Sequence, residues 1–302
     1  MMRCAAVPGS PFLDVMASQE EERKGRGFPV VGLIVLTFVM ILALVMGIGM
    51  KSPVNSHDIT PVSKEHRVEA YDCFNSVLGT FVDSTGRVDY VSLRKNPLEF
   101  NQFLEFIRKV SPENEPELFK TDGDTKAYWM NVYNALVMKA VTEHPGISSV
   151  NDLGWAKGVF WRKKFEVGGS WMTLHQIENG ILRKRYRDPR IHFAINCGTN
   201  SCPPLGNRIL SGHDLDAQLE AKTAQFIRDE ANVRIDHDGK EVWLSRIFKW
   251  YQRDFTVRGK TLLEYVVDYL PGLPEDEKVR ILSEYSVKFN NYDWGLNGNN
   301  SQ

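Results

Sequence analysis

No excess of positive charge marks this 302-residue chain. Its 37 Lys and Arg residues stand against 38 Asp and Glu, a formal net charge of -1. Sequence-independent binding to nucleic acid needs a basic face, so the balance argues against a broad nucleic-acid surface. Cysteine is scarce as well. Four residues in 302 exclude a disulfide-dense secreted scaffold, which would need many more per unit length. The chain contains no Walker loop, no G-x-G-x-x-G after a strand, no G-x-S-x-G elbow and no H-E-x-x-H. Nucleotide hydrolysis, dinucleotide redox chemistry, serine hydrolysis and zinc proteolysis of those types therefore lack their usual signatures. Internal repeats and low-complexity blocks are missing too. What the chain has is apolar mass: 42% hydrophobic residues, with seven Trp, ten Tyr and sixteen Phe. That composition argues against disorder and supports a sizeable core.

One long run stands out. Phe28 to Met50 carries no charged side chain, and as a helix it would span roughly 35 Å, enough to cross a hydrocarbon core. A signal peptide would have an apolar stretch of only about 7–15 residues followed by a small-residue cleavage site. The run therefore reads as an uncleaved anchor contacting the lipid bilayer through residues 28–50. Arg23, Lys24 and Arg26 precede it and only Lys51 follows closely. By the positive-inside rule, this predicts a single-pass protein with a cytoplasmic N-terminus and an extracytoplasmic main domain. The organisation expected is a cytoplasmic tail at 1–27, the span at 28–50, a Pro- and Ser-bearing linker at 51–64, one globular domain at 65–296 and a flexible tail at 297–302.

Within the domain, apolar residues recur at helical spacing over 65–81, 97–110, 124–144, 214–230, 247–255 and 262–270, and over 275–289. Leu174 to Arg183 also reads as helical, and Pro145-Gly146 stops the helix before it. Val167-Gly168-Gly169-Ser170 and Asp238-Gly239 signal two hairpins, over 160–174 and 233–244. Arg190 to Asn196 reads as a strand. The fold class expected is α+β: a helix-rich single domain with small antiparallel hairpins, preceded by one transmembrane helix.

The densest chemistry lies at Arg190 to Leu205, where an apolar segment runs into a loop bearing Cys197 and Cys202. Three readings compete. In the first, a cysteine thiolate acts as a nucleophile and needs a nearby base or cation. On a strand, His192 and Cys197 would face opposite ways and lie about 16 Å apart. His192 would thus pair with Cys202, with His175 available to Cys197. In the second, Cys197 and Cys202 form a disulfide. In the third, His192, Cys197, Cys202 and either His175 or Glu178 hold a metal, although the two-plus-two cysteine spacing of structural zinc is absent. Two thiols without a special role are the residual reading. Elsewhere, Asn131 and Asn134 share a face of an otherwise apolar helix. They either tie that helix to a loop or contact substrate. Glu178 suits a salt bridge to Arg183 or Arg190, or a general base.

These segments resemble a known family. Tyr128 to Leu136, Ile177-Glu178 with Ile181-Leu182-Arg183, and Asp188 to Cys197 with Ser201-Cys202-Pro203-Pro204-Leu205 stand in order. They are followed by Phe248-Lys249-Trp250-Tyr251 with Asp254-Phe255, and by Tyr292 to Asn297. Together they resemble the family of domains of unknown function number 547, over about residues 70–297. The resemblance implies one intact domain with a site built from these motifs, and it supplies no substrate. The family motif often has His after Glu178, where this chain has Asn179. The functional expectation is a thiol-dependent hydrolase or transferase with Cys202 as nucleophile, His192 as base, and Glu178 or Asn131 orienting. The alternative is a non-catalytic envelope-binding or scaffold domain stapled by Cys197–Cys202. No cofactor or metal is expected.

Overall fold

A computed structural model describes residues 63–154 and 158–298. The fold is arranged around α4, Asp122–Thr142, and the order of elements before it follows from local sequence. Ser63 caps α1 (Lys64–Phe81) by accepting from the His66 N–H, and Phe74, Val77, Leu78 and Phe81 bury one face of that helix. Next come α2 (Tyr90–Lys95), capped by Asp89, and α3 (Leu98–Lys109). The Phe74 and Phe103 rings of α1 and α3 stack with centroids 4.3 Å apart. Thr121 and Asp124 form a reciprocal capping box that starts α4, satisfying two backbone donors that would otherwise be orphaned. From Ala127 to Met138 every α4 side chain is buried, as befits a helix apolar on all sides and wrapped by the rest of the domain.

Strands β1 (Lys164–Val167) and β2 (Ser170–Thr173) form a hairpin with Val167 opposite Ser170. Its two-residue turn, Gly168-Gly169, has φ of 56° and 74°, a left-handed pair that favours glycine at both positions. After the hairpin runs an unusual π-helix, Gln176–Tyr186, ending at Arg187 in the left-handed region. A 3-10 turn at Pro189–Phe193 leads into the cysteine loop, and then comes α5 (Leu215–Arg228). Strands β3 (Val233–Asp236) and β4 (Glu241–Leu244) pair antiparallel. The short helices α6 (Arg246–Trp250), α7 (Gln252–Phe255) and α8 (Leu262–Val267) follow. The last elements are α9 (Glu275–Glu284) and β5 (Ser286–Phe289).

The helix-rich α+β architecture with small antiparallel hairpins is as expected, but the transmembrane helix ahead of it finds no support. Among the described residues no helix is long and apolar enough to cross a membrane. The long α4 carries Asp122, Asp124, Lys126 and Lys139. Residues 28–50, on which the expectation rested, lie outside the described residues, as do 1–27 and most of the 51–64 linker. The fold class is therefore restated without the membrane helix, and the single-pass, signal-anchored and extracytoplasmic placement is withdrawn with it.

Other expectations also change. The strand at 190–196 is replaced by the 3-10 turn. Pro189 presets its backbone and lacks an N–H, while the Asp188 side chain accepts from the Arg190 N–H at 3.1 Å, so the segment begins as a helix does. The helix expected over 275–289 ends at Glu284, and β5 then pairs parallel to β4. Asn297, placed by sequence in a flexible tail, is buried. Its N–H donates to the Gly198 carbonyl at 3.0 Å and its own carbonyl accepts from Val88 at 2.9 Å.

Candidate functional site

Three segments carry polar side chains beside α4: the π-helix, the stretch from Pro189 to Cys202, and α6–α7 with the strap of chain after β5, from Tyr292 to Asn297. π-Helical geometry is rare and is common at functional sites. Here it supplies Glu178, Asn179 and Arg183. Asn179 donates to His175 Nδ1 at 2.8 Å and accepts from the Arg183 guanidinium, so His175, Asn179 and Arg183 form a ladder at four-residue spacing. The His175 ring lies flat against Trp161, with centroids 3.7 Å apart. Burial pushes the His175 pKa down, in keeping with a neutral ring that accepts at Nδ1.

Arg183 then reaches α7. Its Nε and Nη2 donate to the two oxygens of Asp254 at 2.6 and 3.0 Å. The same carboxylate accepts from His192 Nε2 at 2.7 Å. Burial opposes the charge on Asp254. The hydrogen bonds from His192 and Arg183 outweigh that cost and hold its carboxyl well below the usual carboxylate range. His192 is only 3% exposed. It is clamped between the Tyr251 ring, stacked at 3.9 Å, and Phe255, whose centroid is 5.5 Å away. One nitrogen is thus held by an acid.

Glu178 is buried and forms no salt bridge to Arg183 or Arg190. It accepts from the Tyr251 hydroxyl at 2.6 Å and from Tyr133 of α4 at 3.3 Å. Burial, followed by the neighbouring Glu178, raises both tyrosines well above their ordinary pKa, so both stay phenols and donate. Arg190 instead pairs with Asp188, Asp216 and Glu220.

Cys197 and Cys202 are joined by a disulfide, with Cα atoms 6.2 Å apart. Gly198, with φ of 84°, turns the loop between them. The Cys197 N–H donates to Cys202 Sγ at 3.0 Å. The Tyr292 hydroxyl lies 3.4 Å from Cys197 Sγ, 3.5 Å from Cys202 Sγ and 2.8 Å from Thr199 Oγ1. Burial pushes the Tyr292 pKa up. Both cysteines are half-buried. The strap holding Tyr292 is pinned to the same loop, where Asn200 N–H donates to the Gly295 carbonyl at 2.8 Å and Ser201 N–H to Asp293 at 3.3 Å.

Glu178 and His192 share Tyr251 as a neighbour, and the two cysteines share the Tyr292 hydroxyl, but the expected contacts between these two groups are not formed. His192 bonds to Asp254 and to neither sulphur. The geometric case for a His192–Cys202 dyad assumed a strand, which the 3-10 turn replaces. Asn131 is engaged with another loop. Its amide clamps Leu210, donating to the carbonyl at 2.8 Å and accepting from the N–H at 3.0 Å. Asn134 clamps the Ala194 carbonyl and the Asn196 N–H in the same way, at 3.0 and 2.8 Å. These two residues tie α4 to loops. The four-residue metal set does not assemble, and among the described residues no three His, Cys, Asp or Glu side chains cluster as a metal site.

Sequence reasoning assigned no role to Tyr133, Tyr251, Asp254 or Tyr292. Tyr251 and Asp254 were legible only as part of a motif three residues apart, and Tyr292 as the first residue of the terminal one. Residues 119–227 match the family model described as "Protein of unknown function, DUF547". No curated protein and no solved structure matches the chain. Asn131, Glu178, His192, Cys197 and Cys202 fall inside the matched segment, while Tyr251, Asp254 and Tyr292 complete the site from beyond it. Over residues 119–227 the chain is thus similar to the DUF547 family of proteins of unknown function.

Proposed function

We propose that the domain is a thiol-dependent hydrolase or transferase in which reduced Cys202 is the nucleophile. The observation that carries this reading is the convergence of donors on one sulphur. The Cys197 main-chain N–H, at 3.0 Å, and the Tyr292 hydroxyl, at 3.5 Å, both reach Cys202 Sγ. Hydrogen bonds to a charged form favour it, so they would lower the thiol pKa of reduced Cys202. His192 supports the reading as a proton carrier. Asp254 fixes its orientation through Nε2, which leaves Nδ1 as the working nitrogen. In the proposed cycle the thiolate attacks an acyl carbon and His192 protonates the leaving group. Water, deprotonated at Nδ1, then releases the acyl group from sulphur; in a transferase another nucleophile takes its place. Glu178, held by two tyrosine hydroxyls, positions the wall of the site.

The test is hydrolysis of p-nitrophenyl acetate by the reduced protein. Wild type and Cys197→Ser are expected to turn over the ester, with Cys202→Ser at least tenfold slower. Equal rates for Cys202→Ser and wild type would overturn the reading. The second reading, a non-catalytic binding or scaffold domain, is favoured by the disulfide itself, because the loop it closes also anchors the strap at Asn200 and Ser201. That reading predicts a stability loss on reduction with no thiolate at Cys202.

A further inference from the structure

We infer that the Cys197–Cys202 pair is redox-active and exchanges with a small thiol, with Cys197 as the sulphur attacked and Cys202 as the sulphur released. The inference concerns the same loop as the proposed nucleophile and states how that nucleophile is freed. Three observations carry it. First, both cysteines are half-buried, so the pair sits at the edge of the core and is not fully enclosed by it. Second, the loop between them is short and turned by Gly198. Its backbone places the Cys197 N–H on Cys202 Sγ at 3.0 Å, a donor fixed by the main chain. Third, the hydroxyls near Cys197 Sγ are not dedicated to it. Thr199 Oγ1 at 3.3 Å and Tyr292 Oη at 3.4 Å also hydrogen-bond to each other at 2.8 Å. A hydroxyl carries one hydrogen, so Tyr292 cannot serve Thr199 and both sulphurs at once. The permanent donor therefore belongs to Cys202.

Exchange proceeds through the better leaving thiolate. The thiolate of the small thiol attacks Cys197 Sγ and forms a new S–S bond there. The Cys197–Cys202 bond breaks, and its electron pair leaves on Cys202 Sγ, where the Cys197 N–H receives it. A second molecule of the small thiol attacks the mixed disulfide at the sulphur of the first. Cys197 leaves as a thiol, and the small thiol departs as its own disulfide. Two thiols supply the two electrons.

The experiment incubates the full-length oxidised protein with glutathione, with iodoacetamide present to trap each thiol as it appears, and maps both cysteines by mass spectrometry. Early in the reaction the expected species carries glutathione on Cys197 and carbamidomethyl on Cys202, in at least tenfold excess over the reverse arrangement. A comparable or larger amount of glutathione on Cys202 would overturn the inference, as would a disulfide that reacts only once the protein is unfolded by heat. The readout is mass and needs no ester turnover. Failure of the hydrolase reading and failure of this one are therefore distinguishable.

Discussion

Replacing Asp254 with Asn removes one acceptor on which two cations or donors converge. In the native domain its carboxylate receives Arg183 at 2.6 and 3.0 Å and His192 at 2.7 Å, and its side chain is 27% exposed. An amide of the same shape offers one acceptor oxygen and one donor NH2, so Arg183, itself 16% exposed, loses a bidentate partner in a half-dry setting. Breaking one side of such a pair costs about 3 kcal/mol or more. For a domain of this size that corresponds to roughly 6–12 °C in melting temperature. The pH dependence follows from the depressed carboxyl pKa of Asp254. A group whose folded pKa lies below its unfolded value of about 3.9 contributes its full stabilisation above that value and loses it as pH falls toward the folded pKa. The difference between wild type and Asp254→Asn should therefore be flat from pH 7 to about pH 5. Below about pH 3.9 it should shrink by up to about 1.4 kcal/mol per unit. Urea unfolding at pH 7, 5 and 3 measures both quantities. A difference below about 1 kcal/mol at pH 7, within the range of an exposed ion pair, would show that Asp254 carries no such load. So would a difference that does not change between pH 5 and pH 3.

Three further outcomes are expected. Asn134→Ala leaves the Ala194 carbonyl and the Asn196 N–H without their buried partner and should cost about 2 kcal/mol or more by denaturant unfolding; a loss under about 0.5 kcal/mol would contradict the clamp. Tyr292→Phe removes the hydroxyl 3.5 Å from Cys202 Sγ and should raise the thiol pKa of reduced Cys202, read by thiolate absorbance against pH; an unchanged titration would remove Tyr292 from the site. Reduction of the disulfide should lower stability by only about 2 kcal/mol, because the loop it closes is short; unfolding on reduction would make the bond a staple instead of an exchangeable pair.

Much of the fold was legible because its helices carry periodic apolar faces. The hairpin at Gly168-Gly169 was legible because its turn demands left-handed residues. The errors came where local chemistry overrode an apolar run. Ile191, Phe193 and Ile195 look like strand residues, but Asp188 and Pro189 start a helical turn before them. The parallel pairing of β5 with β4 depends on contacts across about forty residues and leaves no local signal. Glu178, His192 and the cysteine pair stood out as candidates because ionisable and sulphur side chains are conspicuous in an apolar segment. Their partners were not legible. Asp254 lies 62 residues from His192, and Tyr251 lies 73 from Glu178, so only the fold joins them. The shared face of Asn131 and Asn134 was correct as geometry, and its meaning lay in the loops those amides hold.

If Cys202 is the nucleophile, the loop around it stabilises its thiolate. That stabilisation is read from the rate of iodoacetamide alkylation of the reduced protein from pH 5 to pH 10, with Cys197 and Cys202 followed separately by mass spectrometry. The midpoint expected for Cys202 lies at least one unit below the ordinary thiol value of about 8.5, and below that of Cys197. A Cys202 midpoint at or above about 8.5 would contradict it.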